Sequence, residues 1–190
     1  MVMRKGTRLQ KADWERAAVE AIARGGVAAL AVEPLAAQLK VTKGSFYWHF
    51  ADRDALLQAA LARWEHEETT EVMEVLSRVP DPAERMSRVL RSGFVGRLGG
   101  SVDAALLADA DHPLVGPVLR RVTAARLRYT TTAFRALGFR GAAANRRALL
   151  AYAAYVGHFA LQRAAPNALP RGTAAASYVE HVVAALLAKA

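Results

Sequence analysis

The residues best equipped for chemistry lie close together, between Thr42 and Arg53, in the run TKGSFYWHFADR. Phe46 and Phe50 stand one helical turn apart with Val41 beneath them, enough apolar surface to pin a short helix to Leu35 and Leu39. Lys43, Gly44, Ser45, Tyr47, Trp48 and His49 are then left for the remaining surface. These types suit one partner well. A lysine supplies a cation, a tyrosine a hydroxyl for a phosphate, and a tryptophan an apolar plane for a thymine methyl, while Gly44 lets the backbone approach a groove. A soluble protein rarely offers tyrosine and tryptophan side by side to water without a use for them. The competing reading places Tyr47 and Trp48 in the core, and burial decides between the two.

The elements that must position this run are helical. Sustained alternation at a period of two is absent from the sequence, whereas Ala, Leu, Arg and Glu fill long stretches at helical spacing, which predicts an all-α chain. A first helix is expected over about 11–24, with Trp14, Ala18, Ala21 and Ile22 on one face and Gly25-Gly26 ending it. A second runs from Val32 to Leu39, where Pro34 is tolerated in the first turn. Thr42 is the expected N-cap of a third helix and Asp52 that of a fourth, which is expected to reach Arg78 without interruption. Breaks at Pro80-Asp81-Pro82, Gly99-Gly100, His112-Pro113, Gly138 to Gly141 and Pro166 to Gly172 imply helices near 83–98, 102–111, 114–137, 142–164 and 171–189.

Two short helices joined by a turn of three or four residues, the second rich in polar and aromatic groups, form the helix-turn-helix pattern, whose second helix enters the major groove. Residues 11–64, above all VEPLAAQLKVTKGSFYWHFADRDALLQAAL, resemble the DNA-binding domain of TetR-family transcriptional repressors. The resemblance implies that Thr42, Lys43, Ser45 and Trp48 face bases or adjacent backbone and that Tyr47 and His49 bind phosphates. It also implies that Arg53, with the start of the fourth helix, clamps a further phosphate. Three residues depart from the family pattern. Ala31 stands where a capping Thr or Ser is usual, Lys40 where the turn commonly has Gly, and Glu33 where relatives carry a neutral or oppositely charged contact. Lys40 is therefore expected in a left-handed conformation, and Glu33 either reads a cytosine amino group or points away. The division implied is a helix-turn-helix domain over 1–53 and a helical effector-binding and dimerisation domain over 54–190.

One recognition helix reads only a few base pairs, so specificity calls for two half-sites and a homodimer. Leu149, Ala153, Val156 and Ala160 repeat at 4-3-4 spacing, and Tyr178, Val179, Val182, Val183 and Leu186 form paired ridges on the last helix. Both resemble the four-helix dimer interface of the family, though either stripe can instead pack within its own chain. The family also keeps a small-molecule pocket between reading head and dimer interface. Trp64, Phe94, Leu98, Arg126, Tyr129, Tyr155 and His158 are the candidates to line it, for a largely apolar effector.

Charge and composition bound the alternatives. The 26 Lys and Arg outnumber 17 Asp and Glu, and the excess is uneven: +4 over residues 1–53, −6 over 54–84 and +11 over 85–190. Such basic ends suit a polyanion partner. The basic N-terminal arm, with Arg4, Lys5, Arg8 and Lys11, is placed to track a minor groove. The absence of cysteine excludes disulfides, Cys-ligated zinc and thiol chemistry. His66 in WEHEETTE lacks the second histidine of a zinc helix and reads as part of a solvated face. With no nucleophile elbow and no phosphate loop, neither enzymatic activity nor a metal or cofactor is expected. No apolar run is long enough for a membrane span and the basic N-terminus does not read as a secretory signal, so a cytoplasmic location is expected. The rival from another class is a basic helical protein that binds membranes or protein partners through its Arg-rich 114–147 stretch. Those arginines are spread around the helix, which favours solubilisation of an Ala-rich bundle.

Overall fold

The structure is a computed structural model and describes residues 9–95 and 99–188; Arg4, Lys5 and Arg8 of the basic arm, and Leu98, lie outside the described residues. The described residues are helical throughout, without a strand. In chain order the helices are α1 (Lys11–Gly25), α2 (Val32–Gln38), α3 (Lys43–Tyr47), α4 (Arg53–Glu65), α5 (Glu71–Ser77), α6 (Pro82–Val95), α7 (Gly99–Ala108), α8 (Val115–Ala136), α9 (Ala142–Ala164) and α10 (Thr173–Leu187).

The core of the N-terminal head explains why such short helices hold together. Phe46 of α3 is fully buried, edge-on to Trp14 of α1 at 5.4 Å and stacked on Phe50 at 5.7 Å. Leu35 and Ala36 of α2 and Leu56, Leu57 and Leu61 of α4 close the same cluster. Burying a side chain such as Phe46 contributes about 1.5–3 kcal/mol, more than five residues of isolated helix could gain from propensity. The cluster continues through Trp64 into Val102 and Leu106 of α7 and Val115, Leu119 and Val122 of α8, so the head is seated on the bundle through α1, α4 and α7. A second cluster joins Met86 and Leu90 of α6, Phe134 of α8, Ala144, Ala148 and Ala151 of α9, and Val183 and Leu186 of α10.

Local chemistry sets the ends. Asp52 caps α4, its carboxylate accepting the Ala55 N–H at 2.7 Å. Thr42 stands at the N-cap of α3 but its side chain forms no capping bond, unlike the sequence expectation. Ala31 begins α2 with no side-chain cap. Lys40 takes the left-handed turn position at φ 56°, a conformation that costs a residue with a Cβ about 1–2 kcal/mol. Arg147 reaches across from α9 to donate to the Ala185 and Ala188 carbonyls at 2.9 and 2.7 Å, closing the C-terminal end of α10.

The expected unbroken helix from Asp52 to Arg78 has a widened turn in its middle. Residues His66–Thr70 wind as a π-helix between α4 and α5. A π turn inserts an extra residue and rotates the side chains beyond it relative to the α-helical face. Here Thr69 is buried and Glu68 is turned toward the interior, so the acidic stretch is not the wholly solvated face that its composition suggests.

Candidate DNA-reading surface and interior cavity

Because Phe46 and Phe50 occupy the core, the intervening side chains have only the outside left. Trp48 is 85% exposed and Tyr47 56% exposed, which excludes the reading in which both rings belong to the core. Thr42, Lys43 and Gly44 are exposed beside them, and Ser45 and His49 are half-buried. Tyr47 leans edge-on against Phe46 at 5.2 Å, so its ring is braced from below while its outer edge stays free. Lys43 is not a free cation. Its ammonium donates to the Glu33 carboxylate at 2.5 Å, and this bond lowers the Glu33 carboxyl and raises the Lys43 amine from their ordinary values. Glu33 thus lies next to the reading surface, turned toward Lys43 across the helix-turn-helix.

Arg53 is committed to the protein itself. Its guanidinium donates at 2.6 Å to the Leu30 carbonyl and at 2.6 Å to the Val27 carbonyl, which fastens the start of α4 to the segment leading into α2. The phosphate role implied for Arg53 therefore competes with two charge-assisted bonds already formed. Asp109, just beyond α7, accepts the Val27 N–H at 2.8 Å. Gly26 permits this approach: at its φ of 72° a Cβ would stand 2.8 Å from the Asp109 carboxylate.

A cavity of about 140 Å³ lies in the bundle among the π turn, α5, α6, α7, α8 and α9. Of the sequence candidates, Phe94, Arg126, Tyr129 and Tyr155 line it. Trp64 does not: it is buried in the head-side cluster, with the Arg126 guanidinium over its ring at 5.5 Å. His158 also lies outside the lining, stacked on Tyr178 at 5.7 Å and edge-on to Phe94 at 5.3 Å; burial lowers its pKa. Sequence reasoning missed Glu68, Thr69, Asp103 and Tyr152. Tyr152 precedes Tyr155 by three positions on the same helix and could have been found by period alone.

Asp103 organises the polar end of the cavity. It is 3% exposed, pairs with Arg126, and accepts the Tyr155 hydroxyl at 2.7 Å. Arg126 donates further to the Thr69 hydroxyl at 2.9 Å and the Glu68 carbonyl at 3.2 Å. Burial on its own would lower the Arg126 pKa, but Asp103 and the neighbouring tyrosines outweigh it and the guanidinium is held above its usual value. Burial, reinforced by Asp103, pushes the Tyr155 phenol far up, so that it remains a hydrogen-bond donor. Desolvation, reinforced by Asp103 and only partly offset by Arg126, raises the Glu68 carboxyl.

The two C-terminal stripes separate. On α9, Leu149, Ala153 and Ala160 are exposed and Val156 is half-buried. On α10, Val183 and Leu186 are buried in the chain's own second cluster, with Val179 and Val182 packed partly against it, so these four belong to the ridge that seals α10 onto the bundle. Val183 and Leu186 are thus covered within the chain, whereas Val179 and Val182 remain half-buried. Tyr178 is half-buried and covered by His158 and Phe94.

A helix-turn-helix head carried on a helical bundle is an arrangement also seen in solved structures of transcriptional regulators. The profile of "Bacterial regulatory proteins, tetR family" matches residues 16–60. The whole fold is similar to a TetR-family transcriptional regulator from Agrobacterium tumefaciens, at 15% identity and a TM-score of 0.73 over 91% of this chain and 95% of the other. It is similar to a protein from Saccharomonospora viridis described as a transcriptional regulator and solved with choline, at 18% identity and a TM-score of 0.75 over 90% and 92%. It is also similar to the Bacillus subtilis transcriptional regulator FadR, solved with stearoyl-CoA, at 13% identity and a TM-score of 0.71 over 94% and 98%. No curated protein matches the sequence significantly. The family match covers the N-terminal head, and over the length of the chain the fold is the one shared by these regulators.

Proposed function

We propose that the protein is a ligand-responsive, sequence-specific DNA-binding regulator, a repressor that leaves an inverted-repeat operator when a small molecule occupies the interior cavity. The observation that carries this reading is the exposed Tyr47-Trp48 pair at the end of α3, a helix anchored by buried Phe46 with buried Phe50 just beyond it. Thr42, Lys43, Gly44, Ser45 and Trp48 meet base edges and adjacent backbone, and Tyr47 and His49 meet phosphates. The reading head comprises residues 1–53 and the effector-binding and dimerisation part residues 54–190, with α4 rooted in both. That two proteins of similar fold were solved with choline and with stearoyl-CoA supports a ligand role for the cavity.

Two heads are needed to read an inverted repeat, and α9 supplies a surface for joining them. Leu149, Leu150, Ala153, Ala160 and Leu161 are exposed along it, an apolar stripe whose small residues let a partner helix come close. Ligand release then requires that the occupied cavity favour a head spacing the operator cannot accept. The rival, a basic helical protein that binds membranes or protein partners through its Arg-rich stretch, leaves the exposed rings of the helix-turn-helix without a use. A chromosomal target places the protein in the cytoplasm. Selection of bound duplexes from a random pool tests the reading. A recovered inverted repeat supports it, and a pool that stays unenriched overturns it.

A further inference from the structure

The charge inside the cavity is unbalanced. Arg126 is neutralised by Asp103 and further engaged by the Thr69 hydroxyl and the Glu68 carbonyl, so three of its N–H groups and its charge are already committed within the protein. Glu68 also lines the cavity, and among the described residues its carboxylate takes part in no hydrogen bond or ion pair. The rings of Phe94, Tyr129, Tyr152 and Tyr155 line the same space, that of Tyr155 with the Arg126 guanidinium 6.0 Å from its centroid. Three of these are phenols, and aromatic faces carry the negative end of a quadrupole. A cavity of about 140 Å³ is close to one that takes a single benzene ring, at roughly 150 Å³.

From this arrangement we infer that the cavity is built for a small organic cation, an amine or quaternary ammonium of about the size of one aromatic ring, with Glu68 as its counter-ion and the tyrosine and phenylalanine rings as its walls. The inference deepens the effector reading above and rests on the cavity being the effector site. Cations held over several rings and desolvated beside a carboxylate gain from both interactions at once. An anion would compete with Asp103 for the charge of Arg126 and would sit beside the Glu68 carboxyl. The raised Glu68 carboxyl agrees with the geometry, because a partly buried carboxylate whose desolvation Arg126 offsets only in part is a group that an entering cation relieves. The π turn is what makes the site: by widening the helix between α4 and α5 it brings Glu68 into the wall.

Calorimetric titration of the full chain with benzylammonium, benzyl alcohol and benzoate tests this, since the three probes share a ring and differ in charge. Benzylammonium is expected to bind about tenfold or more tightly than benzyl alcohol, with benzoate weakest. Glu68→Gln is expected to reduce benzylammonium affinity by about tenfold while leaving benzyl alcohol affinity unchanged and the thermal midpoint no lower than the parent's. Benzoate binding tightest, benzyl alcohol matching benzylammonium, no benzylammonium binding at all, or a Glu68→Gln protein that holds benzylammonium like the parent would each overturn the inference. Duplex binding by the same ligand-free preparations keeps the two readings apart. A parent that enriches no duplex yet binds benzylammonium through Glu68 contradicts the proposed function alone, and one that binds its duplex but ignores all cations contradicts the cation site alone.

Discussion

Asp109 and Arg53 hold the same residue from opposite sides: Val27 gives its N–H to the Asp109 carboxylate and its carbonyl to the Arg53 guanidinium. The peptide segment ahead of α2 is thereby fixed both to the bundle and to the start of α4. Six residues before Asp109, roughly 9 Å along the helical rise, Asp103 anchors the polar end of the cavity through Arg126 and Tyr155. A displacement of α7 on ligand entry would be delivered to Val27, and so to the angle at which α2 and α3 meet a duplex.

Asp109→Ala is expected to loosen that link. The Val27 N–H would lose its acceptor, at a cost of about 1–3 kcal/mol in chemical denaturation. The ratio of duplex affinities with and without bound cation should also move toward unity. Retention of full stability and full ligand response would show that the signal takes another route.

Arg53→Ala separates two roles for that side chain. Loss of its bonds to Leu30 and Val27 predicts a fall of about 1.5–3 kcal/mol in stability, with duplex affinity falling as the head loosens. A variant of parental stability that binds DNA poorly would instead identify Arg53 as a direct phosphate clamp.

Removal of the Glu33 carboxylate should free a cation. Glu33→Gln is expected to strengthen duplex binding at low salt and to steepen the dependence of log affinity on log salt by about one, as Lys43 gains a phosphate. An unchanged slope would mean that Lys43 already leaves Glu33 when DNA is bound.

Lys40 offers a test of backbone strain away from any ligand. With φ at 56°, Lys40→Gly relieves the Cβ penalty, offset in part by the greater freedom of glycine in the unfolded chain. A stabilisation of up to about 1 kcal/mol is expected in denaturant titrations. Destabilisation would show that the lysine side chain packs usefully in the turn.

The head was legible in the sequence because each of its signals is local: Gly25-Gly26 ending α1, Asp52 capping α4, and a phenylalanine pair one turn apart deciding which side of α3 is buried. The lefthandedness of Lys40 followed from its place in the turn. Glu68 was not legible, since the π turn that rotates it inward leaves no mark in the run WEHEETTE. Asp103 was hidden for a different reason: an acid in the apolar run SVDAALLA gives no hint that its partner, Arg126, lies on another helix. On α10 the period correctly identified a ridge of Val179, Val182, Val183 and Leu186, but period alone cannot distinguish a face packed on its own chain from one offered to a second copy.

Titration of the selected duplex with the parent, Lys43→Ala and Tyr47→Ala tests most directly whether α3 presents Lys43 and Tyr47 to DNA. Each variant is expected to bind about tenfold or more weakly than the parent while keeping its helical signal and dimer mass. Parental affinity in both variants would contradict the assignment of this surface.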